Sequence, residues 1–542
     1  MNKLVVLYDV TGIQEYIFSS VKLKENIGAS IAVQNVLDTY LKDSIESVCP
    51  NYAANWKEYR GLKIKDQDLE AEVIYIGGGN AMVFFKNEDL YKKVNRQLSI
   101  KILEETGGNV IVASSFIETD WSDFKQDRQK LVKQLAENKF KTIHSSPVKG
   151  IAITRECEND GLPAQVCKIY EQNKHEYISF PADRKRNFED NEYFEKIVPL
   201  PDHLKYPKEL DDLGQKEGEN HIAVVHIDGN NMGKVLKEIN SYEEMKEFSM
   251  ETTKAYQSTM QSIIEKMIDA LKDKNFFNAL NLKQTDDGKN FLPIRVIVQN
   301  GDDVTFITNG RIGIPLAEAF LNQIGKRSIP IGIRQIPLSA CAGVAIVKSH
   351  FPFYRAYEMA EELCASAKRK GKILANKHKE EMGNWLDFHI AYSGVTTDLS
   401  ILRNRQYNVP GMKSVAPLEF KEPGAKSGLE LKEYNLLWRP WCIWGHYDSK
   451  YRWKEFRGKI LNHFQDTNEW PRSRLKKLRN ESIKSKADIY VLLEEMKSRE
   501  KELPLFENSN EYFRENDRHT PYFDALELLD FYISIENVGG EQ

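Results

Sequence analysis

The sequence predicts an α+β protein with two copies of one βαββαβ unit, a linker subdomain between them, and an all-helical domain at the C-terminal end. Two observations support this prediction. The same order of strand-like apolar runs and periodic helical segments occurs twice, and in each copy a glycine-containing turn separates the two central apolar runs. A length of 542 residues also exceeds what one hydrophobic core normally supports.

The composition is typical of a protein whose surface faces water. Charged residues make up 29% of the chain, the formal net charge is −4, and no apolar run is long enough to cross a bilayer. The six cysteines are scattered, which is typical of reduced thiols rather than of a disulfide framework. We therefore expect a cytoplasmic protein with no membrane partner.

The first copy is predicted at residues 1–149. An apolar strand ends at Asp9 and is followed by a long periodic helix that reaches about residue 44. Two apolar runs within 71–86 flank a cluster of glycines, which predicts a β-hairpin. A helix, a strand and a charged helix are then predicted up to about residue 140.

The second copy is predicted at residues 219–398 and repeats this order. A strand ends at Asp228, a long helical stretch follows, and 293–308 again holds two strands around a turn. The pair Asn300-Gly301 favours that turn, because both residue types tolerate positive φ. Asp9 lies 70 residues before Gly79, and Asp228 lies 74 residues before Asp302. These similar spacings predict two related domains that pack together across a shared cleft.

The remaining regions carry weaker patterns. Residues 150–218 read as a linker subdomain, and 399–542 read as the all-helical domain, with a group of tryptophans that we expect in its core. The tract 450–486 holds 12 Lys or Arg against 4 Asp or Glu. Such a tract can contact RNA phosphates, but a charge run on a helix is more often a solvated face.

Carboxylates at two strand ends indicate the chemistry. If the strands that carry Asp228, Asp302 and Asp303 are neighbours, these side chains meet at one edge of a sheet and can hold two Mg²⁺ or Mn²⁺ ions over a nucleoside triphosphate. Glycines and asparagines beside them would let the backbone approach the phosphates. The candidate nucleotide-binding residues of this copy are Gly229, Asn231, Gly233, Asn300, Gly301 and Lys368. The competing interpretation is that Asn-Gly-Asp-Asp is only a turn sequence.

These motifs resemble the large polymerase subunit of type III CRISPR effector complexes, which is related to GGDEF cyclases. VQNGDDVTF at 298–306 is similar to the family's GGDD hairpin, with Asn300 in place of the first glycine. VHIDGNNMG at 225–233 is similar to its first metal-binding strand, and 9–30 with the Gly77–Asn80 turn are similar to its first palm domain. The resemblance implies two ferredoxin-like palm (GGDEF/cyclase-like) domains, ATP bound between them, and synthesis of cyclic or linear oligoadenylate. It also implies CRISPR RNA and other effector subunits as partners.

Departures from the family pattern refine these expectations. The chain has no His-Asp dipeptide, so we expect a short form without the family's HD nuclease domain. In the first palm, Asn80 and Ala81 stand where the carboxylates would be, so that copy is expected to support nucleotide through Gly78, Gly79 and Asn80 without catalysing the reaction. The linker's Cys157 and Cys167 lack the C-x-x-C spacing of a zinc site and are expected to be ordinary cysteines.

Two alternative functions remain open at this stage. The chain would be a non-catalytic scaffold that holds RNA and protein partners, or a GGDEF-like cyclase that uses another nucleotide. Three intact carboxylates favour an enzyme, because a scaffold has no physical need for converging anions.

Overall fold

The computed structural model describes residues 3–20, 22–141, 150–151, 153–170, 174–188, 198–214, 220–285, 287–392, 398–410, 433–445, 449–514 and 518–535. Within these ranges the protein is α+β, as predicted, with two main sheets that belong to the two palm domains. No helix in the described part of the chain combines the length and the apolar composition needed to traverse a bilayer.

The first palm is a five-stranded sheet in the order β2-β3-β4-β1-β5, covered by helices. Its elements are β1 (Lys3–Thr11), α1 (Ile13–Phe18), α2 (Leu23–Asn35), α3 (Lys42–Val48), β2 (Tyr52–Ala53), β3 (Ala71–Gly77), β4 (Asn80–Phe85), α4 (Glu88–Thr106), β5 (Ile111–Thr119) and α5 (Phe124–Lys141). The single long helix predicted after Asp9 is therefore three helices, with a π-helical turn at Val36–Leu41 between α2 and α3. Apolar periodicity runs through all of these segments, which is why the sequence did not separate them.

The linker subdomain contains β6 (Val166–Tyr170), β7 (Lys174–Ile178), α6 (Phe180–Asn187) and β8 (Leu204–Lys205). It is held to the first palm by a buried guanidinium. Arg186 Nε donates to Glu25 Oε1 at 2.8 Å, and its Nη1 donates to Glu176 Oε2 at 2.8 Å. The two carboxylates neutralise the buried guanidinium of Arg186, and the bond to Glu25 fixes the linker against α2.

The second palm is a six-stranded sheet in the order β11-β12-β9-β15-β16-β19. Its elements up to residue 390 are β9 (His221–Gly229), α7 (Met232–Glu238), α8 (Tyr242–Ala270), α9 (Lys274–Leu280), β10 (Asn290–Phe291), β11 (Ile294–Asn300), β12 (Asp303–Asn309), α10 (Gly313–Ile324), β13 (Ser328–Ile331), β14 (Arg334–Pro337), β15 (Ala340–Lys348), α11 (Phe353–His378) and β16 (Asn384–Ile390).

Strand register shows that the two palms are copies of one unit. Asp9 on β1 pairs with Asn80 on β4, and Asp228 on β9 pairs with Asp303 on β12. The first strand of each hairpin carries a bulge at the same distance from its turn, at Val73/Tyr75 and at Val296/Val298. A bulge at the same position in both hairpins is a specific backbone feature, and two unrelated domains with the same strand order would not be expected to share it.

The C-terminal region is mainly helical, but the prediction of an all-helical domain is wrong in detail. Three short strands lie within it, and β19 extends the second palm sheet by pairing with β16. In the run WCIW, which forms β19, Trp441 and Cys442 are buried in the core. This short apolar strand was mistaken in the sequence for part of a helix. The elements are α12 (Leu399–Tyr407), β17 (Asn408–Pro410), β18 (Glu433–Asn435), β19 (Trp441–Trp444), α13 (Trp453–Phe456), α14 (Asn462–Gln465), α15 (Arg472–Ser482), α16 (Lys486–Lys497) and α17 (Tyr522–Leu528).

Aromatic contacts join the two palms. Phe18 of α1 stacks on Tyr357 of α11, with ring centroids 3.7 Å apart. Tyr242 at the start of α8 contacts the edge of Phe84 and of Trp121 in the first palm. These large buried rings anchor the interface at two places, so the turn of each palm is held facing the other.

Candidate active site

Strand pairing brings the predicted carboxylates to one edge of the second palm sheet. Asp228, near the end of β9, lies directly opposite Asp303, the first residue of β12. Asp302 precedes Asp303 in the turn, and its Oδ2 lies 2.6 Å from where a Cβ on Gly229 would stand. Residue 229 must therefore be glycine for the two strand ends to approach this closely.

The environment of these carboxylates disfavours their charged forms. Burial and the neighbouring Asp228 raise the pKa of Asp302 to about 6. Burial, Asp228 and Asp302 raise the pKa of Asp303 well above its ordinary value. Oδ1 of Asp303 is buried without a hydrogen-bond partner in the described structure. His226 Nδ1 lies 3.5 Å away, but burial lowers the pKa of His226 to about 4, so a neutral imidazole offers no compensating charge.

Lys368 of α11 supplies a positive charge at this edge. Its Nζ donates to Asp228 Oδ2 at 2.5 Å and to the carbonyl oxygen of Gly229 at 2.9 Å. Burial lowers the pKa of this lysine, but Asp228 outweighs that effect and the pKa is raised overall. The sequence predicted Lys368 as a partner of the triphosphate, whereas in this conformation it is bound to the carboxylate.

We call the sheet edge that carries Asp228, Asp302 and Asp303 the acidic edge. Its chemistry fits divalent cations, although the three side chains do not converge on a common point. Within the described residues, no three His, Cys, Asp or Glu side chains stand in ligand geometry around a common point. Three carboxyl groups stand beside one ammonium group here, and Oδ1 of Asp303 is buried without a hydrogen-bond partner in the described structure. Carboxylate oxygens are the ligands that Mg²⁺ and Mn²⁺ prefer. Asp228, Asp302 and Asp303 are thus the residues that would hold the ions.

The turn between β11 and β12 differs from the one predicted. Asn300 ends β11 and pairs with Asp303, so the central pair is Gly301-Asp302 rather than Asn300-Gly301. Of these central residues only Gly301 has positive φ, at 64°, as in a type II′ turn. This geometry leaves Asp302 in an ordinary conformation, so a carboxylate can occupy the turn.

The backbone beyond β9 is open toward the same edge. Asn231 adopts a left-handed conformation, with φ of 59°, immediately before α7. A Cβ on Gly233 would meet nothing within 4 Å. Both residues are exposed, so this stretch is accessible to a ligand at the acidic edge. Asn231 and Gly233 are thus exposed shortly after Asp228 in the chain, and their binding of nucleotide stays a prediction.

The first palm presents a matching but uncharged turn. Gly78 and Gly79 both have positive φ, at 62° and 75°, as in a type I′ turn, and Asn80 pairs with Asp9. Lys139 of α5 forms an ion pair with Asp9, as Lys368 of α11 does with Asp228. The first palm thus keeps the aspartate–lysine pair of the second palm and lacks the two turn carboxylates.

A cavity of about 430 Å³ lies between the palms. The two turns meet at its rim, because a Cβ on Gly301 would stand 3.5 Å from the backbone nitrogen of Gly78. Its walls are mostly apolar, with polar groups from three directions, which is the usual character of a small-molecule site. The charged, polar and glycine lining comes from Asp9, Gly77, Gly78, Asn80, Arg128, Lys139, Ser249, Thr252, Thr253, Gly301 and Asp302.

Three further residues at this site were missed by the sequence analysis. Thr252 and Thr253 of α8 line the cavity, and their buried hydroxyls have no hydrogen-bond partner in the described structure. Glu361 of α11 is a fourth carboxylate near the edge, and burial and Asp228 raise its pKa. Helical spacing could have indicated Glu361, because it precedes Lys368 by two turns on the same face. The threonines carry no local signal, since only the packing of α8 against the first palm brings them to the cavity.

The other sequence-predicted features lie elsewhere. Cys157 is buried, whereas Cys167 is exposed on β6 with its Sγ 3.6 Å from His175 Nδ1. The basic tract is largely paired within its own domain. Arg474 and Lys477 contact Glu495, at 2.8 and 3.3 Å. Arg472, Lys476 and Arg479 all contact Asp530.

Comparisons with known proteins agree with this architecture. Residues 221–375 match the family model of the Cas10/Cmr2 second palm domain. The crystal structure of a Csm1–Csm4 cassette in complex with cA4 is similar, with a TM-score of 0.52 and 13% identity over 98% of this chain and 69% of that chain. A cassette in complex with one ATP gives 0.53 and 12% identity over 98% and 70%, and one with pppApA gives 0.51 and 13% over 97% and 69%. No curated protein matches the chain in sequence.

At these identities the structural likeness establishes the fold, and the family model establishes the kind of domain that carries Asp228, Asp302 and Asp303. The resemblance predicted from the sequence is confirmed at this level: residues 221–375 match the Cas10/Cmr2 second palm domain, and the fold of the chain is similar to that of Csm1.

Proposed function

We propose that this chain is a metal-dependent nucleotidyltransferase that converts ATP to a cyclic or linear oligoadenylate in CRISPR-type antiviral defence. The observation that carries the proposal is the register of β9 and β12, in which Asp228 lies opposite Asp303, next to Asp302, which lines the cavity between the two palms. A scaffold would gain stability by replacing such mutually repelling carboxylates. Their cost is explained if divalent ions and nucleotide bind there.

The chain's own residues supply positioning and charge. Asp228, Asp302 and Asp303 would hold the ions, which supply charge neutralisation to the triphosphate and to the attacking hydroxyl when bound. In the reaction, a ribose hydroxyl oxygen bonds to the α-phosphorus, the bond to pyrophosphate breaks, and the hydroxyl proton is lost to water. Lys368, which donates to Asp228 in this structure, would be free to bind the leaving phosphates if bound ions neutralised that carboxylate.

The mostly apolar cavity suits the base and ribose of a nucleotide. Thr252 and Thr253 have hydroxyls without partners among the described residues, so these groups are available to read the edge of a base. Asn80 and the Gly78-Gly79 backbone would support a nucleotide from the first palm. We favour adenine as the base of the substrate, because the solved structures with a similar fold were determined in complex with ATP, pppApA and cA4.

The second candidate function is a GGDEF-like cyclase that uses another nucleotide, and it shares the same acidic edge. One experiment separates it from the first and from a scaffold. The protein is incubated with each nucleoside triphosphate and Mg²⁺ or Mn²⁺, and the products are analysed by mass spectrometry. Oligoadenylate from ATP supports the proposal, other products support the second candidate, and none supports the scaffold.

A paired variant tests the site itself. Asp302→Ala with Asp303→Ala should abolish conversion while the far-ultraviolet circular dichroism stays unchanged, because the charge at the edge is removed and the hairpin keeps Gly301. Asp269→Ala, at an exposed residue of α8, is the matched control and should stay active. Turnover of the double variant within about tenfold of the unsubstituted protein would contradict the assignment.

Partners of this chain follow from the same likeness. The similar structures are assemblies of Csm1 with Csm4, so we propose that this chain also works with other effector subunits and their CRISPR RNA. Because the 472–479 cations already have carboxylate partners, RNA contact through the tract should be weak. Co-purification with a guide RNA, in the presence and absence of partner subunits, tests this point.

A further inference from the structure

A second cavity, of about 670 Å³, lies against another face of the helix that carries Lys368. Glu362, Ser366, Arg369 and Lys370 of α11 form one wall of it. Successive residues of an α-helix are 100° apart, so Arg369 and Lys370 point away from the acidic edge that Lys368 contacts. The opposite wall comes from the start of α12 and from the C-terminal region. This cavity is therefore separate from the site between the palms.

The cavity is lined by cations that differ in how they are used. Arg369 is exposed and forms no hydrogen bond or ion pair with the described residues. Lys370 Nζ donates to Tyr451 OH at 3.1 Å and lies 4.2 Å from the centre of that ring. Two further arginines line the cavity but are already ion-paired. Arg403 pairs with Asp387, and Arg439 pairs with Asp524 and Glu527. Arg369 and Lys370 are the cations available to a ligand.

Two carboxylates also line the cavity, and both are already engaged. Glu362 Oε2 accepts the backbone N–H of Leu399, and Asp398 Oδ1 accepts the backbone N–H of Ser400. Both interactions cap the N-terminal end of α12, where a negative charge is partly neutralised by the helix dipole. Within the described residues, neither acid forms an ion pair with Arg369 or Lys370, so both cations remain available to a ligand.

The remaining lining suits a nucleotide. Tyr451 and Trp438 present aromatic rings whose centroids are 6.0 Å apart, and Asn404 and Asn435 add amide groups. A volume of about 670 Å³ falls in the range of cavities that hold small organic ligands. Arginine and lysine side by side bind phosphate oxygens, and aromatic rings stack on bases.

We propose that this cavity binds the phosphate groups of a nucleotide or short single-stranded oligonucleotide through Arg369 and Lys370, with its base against Tyr451. The site does not depend on the proposed function of the acidic edge. Because α11 carries Lys368 on one face and Arg369 and Lys370 on another, a ligand here would contact the helix that reaches the acidic edge.

Lysine acetylation read by mass spectrometry tests the proposal on the full chain in EDTA, where ion-dependent binding between the palms is suppressed. Lys370, Lys372 and Lys377 lie on the same helix, but only Lys370 lines the cavity. Tripolyphosphate, ATP and a short oligoadenylate are added separately. Slower acetylation of Lys370, with Lys372 and Lys377 unchanged, is expected with tripolyphosphate, and the other two probes show which source binds better. Equal protection of all three lysines, or none at Lys370 with any probe, would overturn the proposal.

A pair of variants provides a second readout by titration calorimetry in EDTA. Arg369→Gln with Lys370→Gln should weaken binding of the best probe by about tenfold or more, because two charge-assisted phosphate contacts are lost. Lys372→Gln with Lys377→Gln removes the same charge from exposed positions of α11 and should leave binding within about twofold. The same loss in both variants would show a non-specific charge effect and refute the site.

Discussion

Replacing Asp302 by Asn is expected to stabilise the protein in EDTA and to abolish nucleotide conversion. The structure gives the magnitude. The pKa of Asp302 is raised from 3.8 to about 6, so holding this carboxylate ionised in the folded protein costs at most about 3 kcal/mol, at about 1.4 kcal/mol per unit. The cleft admits water to this side chain, so we expect a measured gain of about 1–2 kcal/mol for Asp302→Asn.

The sign of the pH dependence follows from the same shift. The folded protein binds the Asp302 proton more tightly than the unfolded chain does, so ionisation of this group lowers stability as pH rises from about 4 to about 6. The stabilisation by Asp302→Asn should therefore be absent below about pH 4 and complete above about pH 7. Asp269→Asn, at an exposed and ion-paired position, should change stability by less than about 0.5 kcal/mol at any pH.

Urea unfolding in EDTA at several pH values measures these differences, and Mg²⁺ provides the complementary test. If divalent ions bind the folded wild type through its carboxylates, as proposed, they will stabilise it by mass action, and the advantage of the variant should shrink or reverse when Mg²⁺ is added. If Asp302→Asn destabilises the protein in EDTA at neutral pH, or if Mg²⁺ stabilises both proteins equally, the acidic edge is not an unsatisfied cation site.

Three other predictions concern the same cleft. Lys368→Met should raise the KM for nucleotide by about tenfold, because a phosphate contact is lost, while Lys372→Met on the exposed face of α11 should leave KM unchanged in steady-state assays. Thr252→Val with Thr253→Val should keep or improve stability, since two unsatisfied hydroxyls are removed, and should reduce discrimination among nucleotides in a mixture, as measured by product composition. Gly79→Ala should lower the free energy of unfolding by about 1–2 kcal/mol in urea titrations, because φ is 75° and Ile13 Cδ1 lies 2.4 Å from the new Cβ; no loss would show that the turn adopts another conformation.

The sequence was most informative where one strand carries both a core pattern and a charged end. Asp9 follows an uninterrupted apolar run, and Asp228 follows one broken only by His226, so both strand ends and their equivalence were predictable. Strand β16 was missed because its fully buried residues include Asp387 and His389, which normally argue against a core strand. Asp387 is buried only because Arg403 pairs with it from α12, a contact that no local pattern encodes. The same applies to Thr252 and Thr253, whose place in the cavity depends on how the two palms dock.

The two turns explain why one palm carries carboxylates at its turn and its copy does not. In the second palm only Gly301 takes positive φ, so the next position accepts the side chain of Asp302. In the first palm both central residues take positive φ, and the position equivalent to Asp302 is Gly79, packed against Ile13. A carboxylate there would need a strained backbone and a displaced Ile13. The backbone conformation of the first turn therefore explains why it carries no acid. Because Gly79 has no side chain, the turn of the second palm can also approach it closely. One copy of the unit concentrates negative charge at the cleft, and the other provides a neutral glycine surface against which a charged ligand can lie.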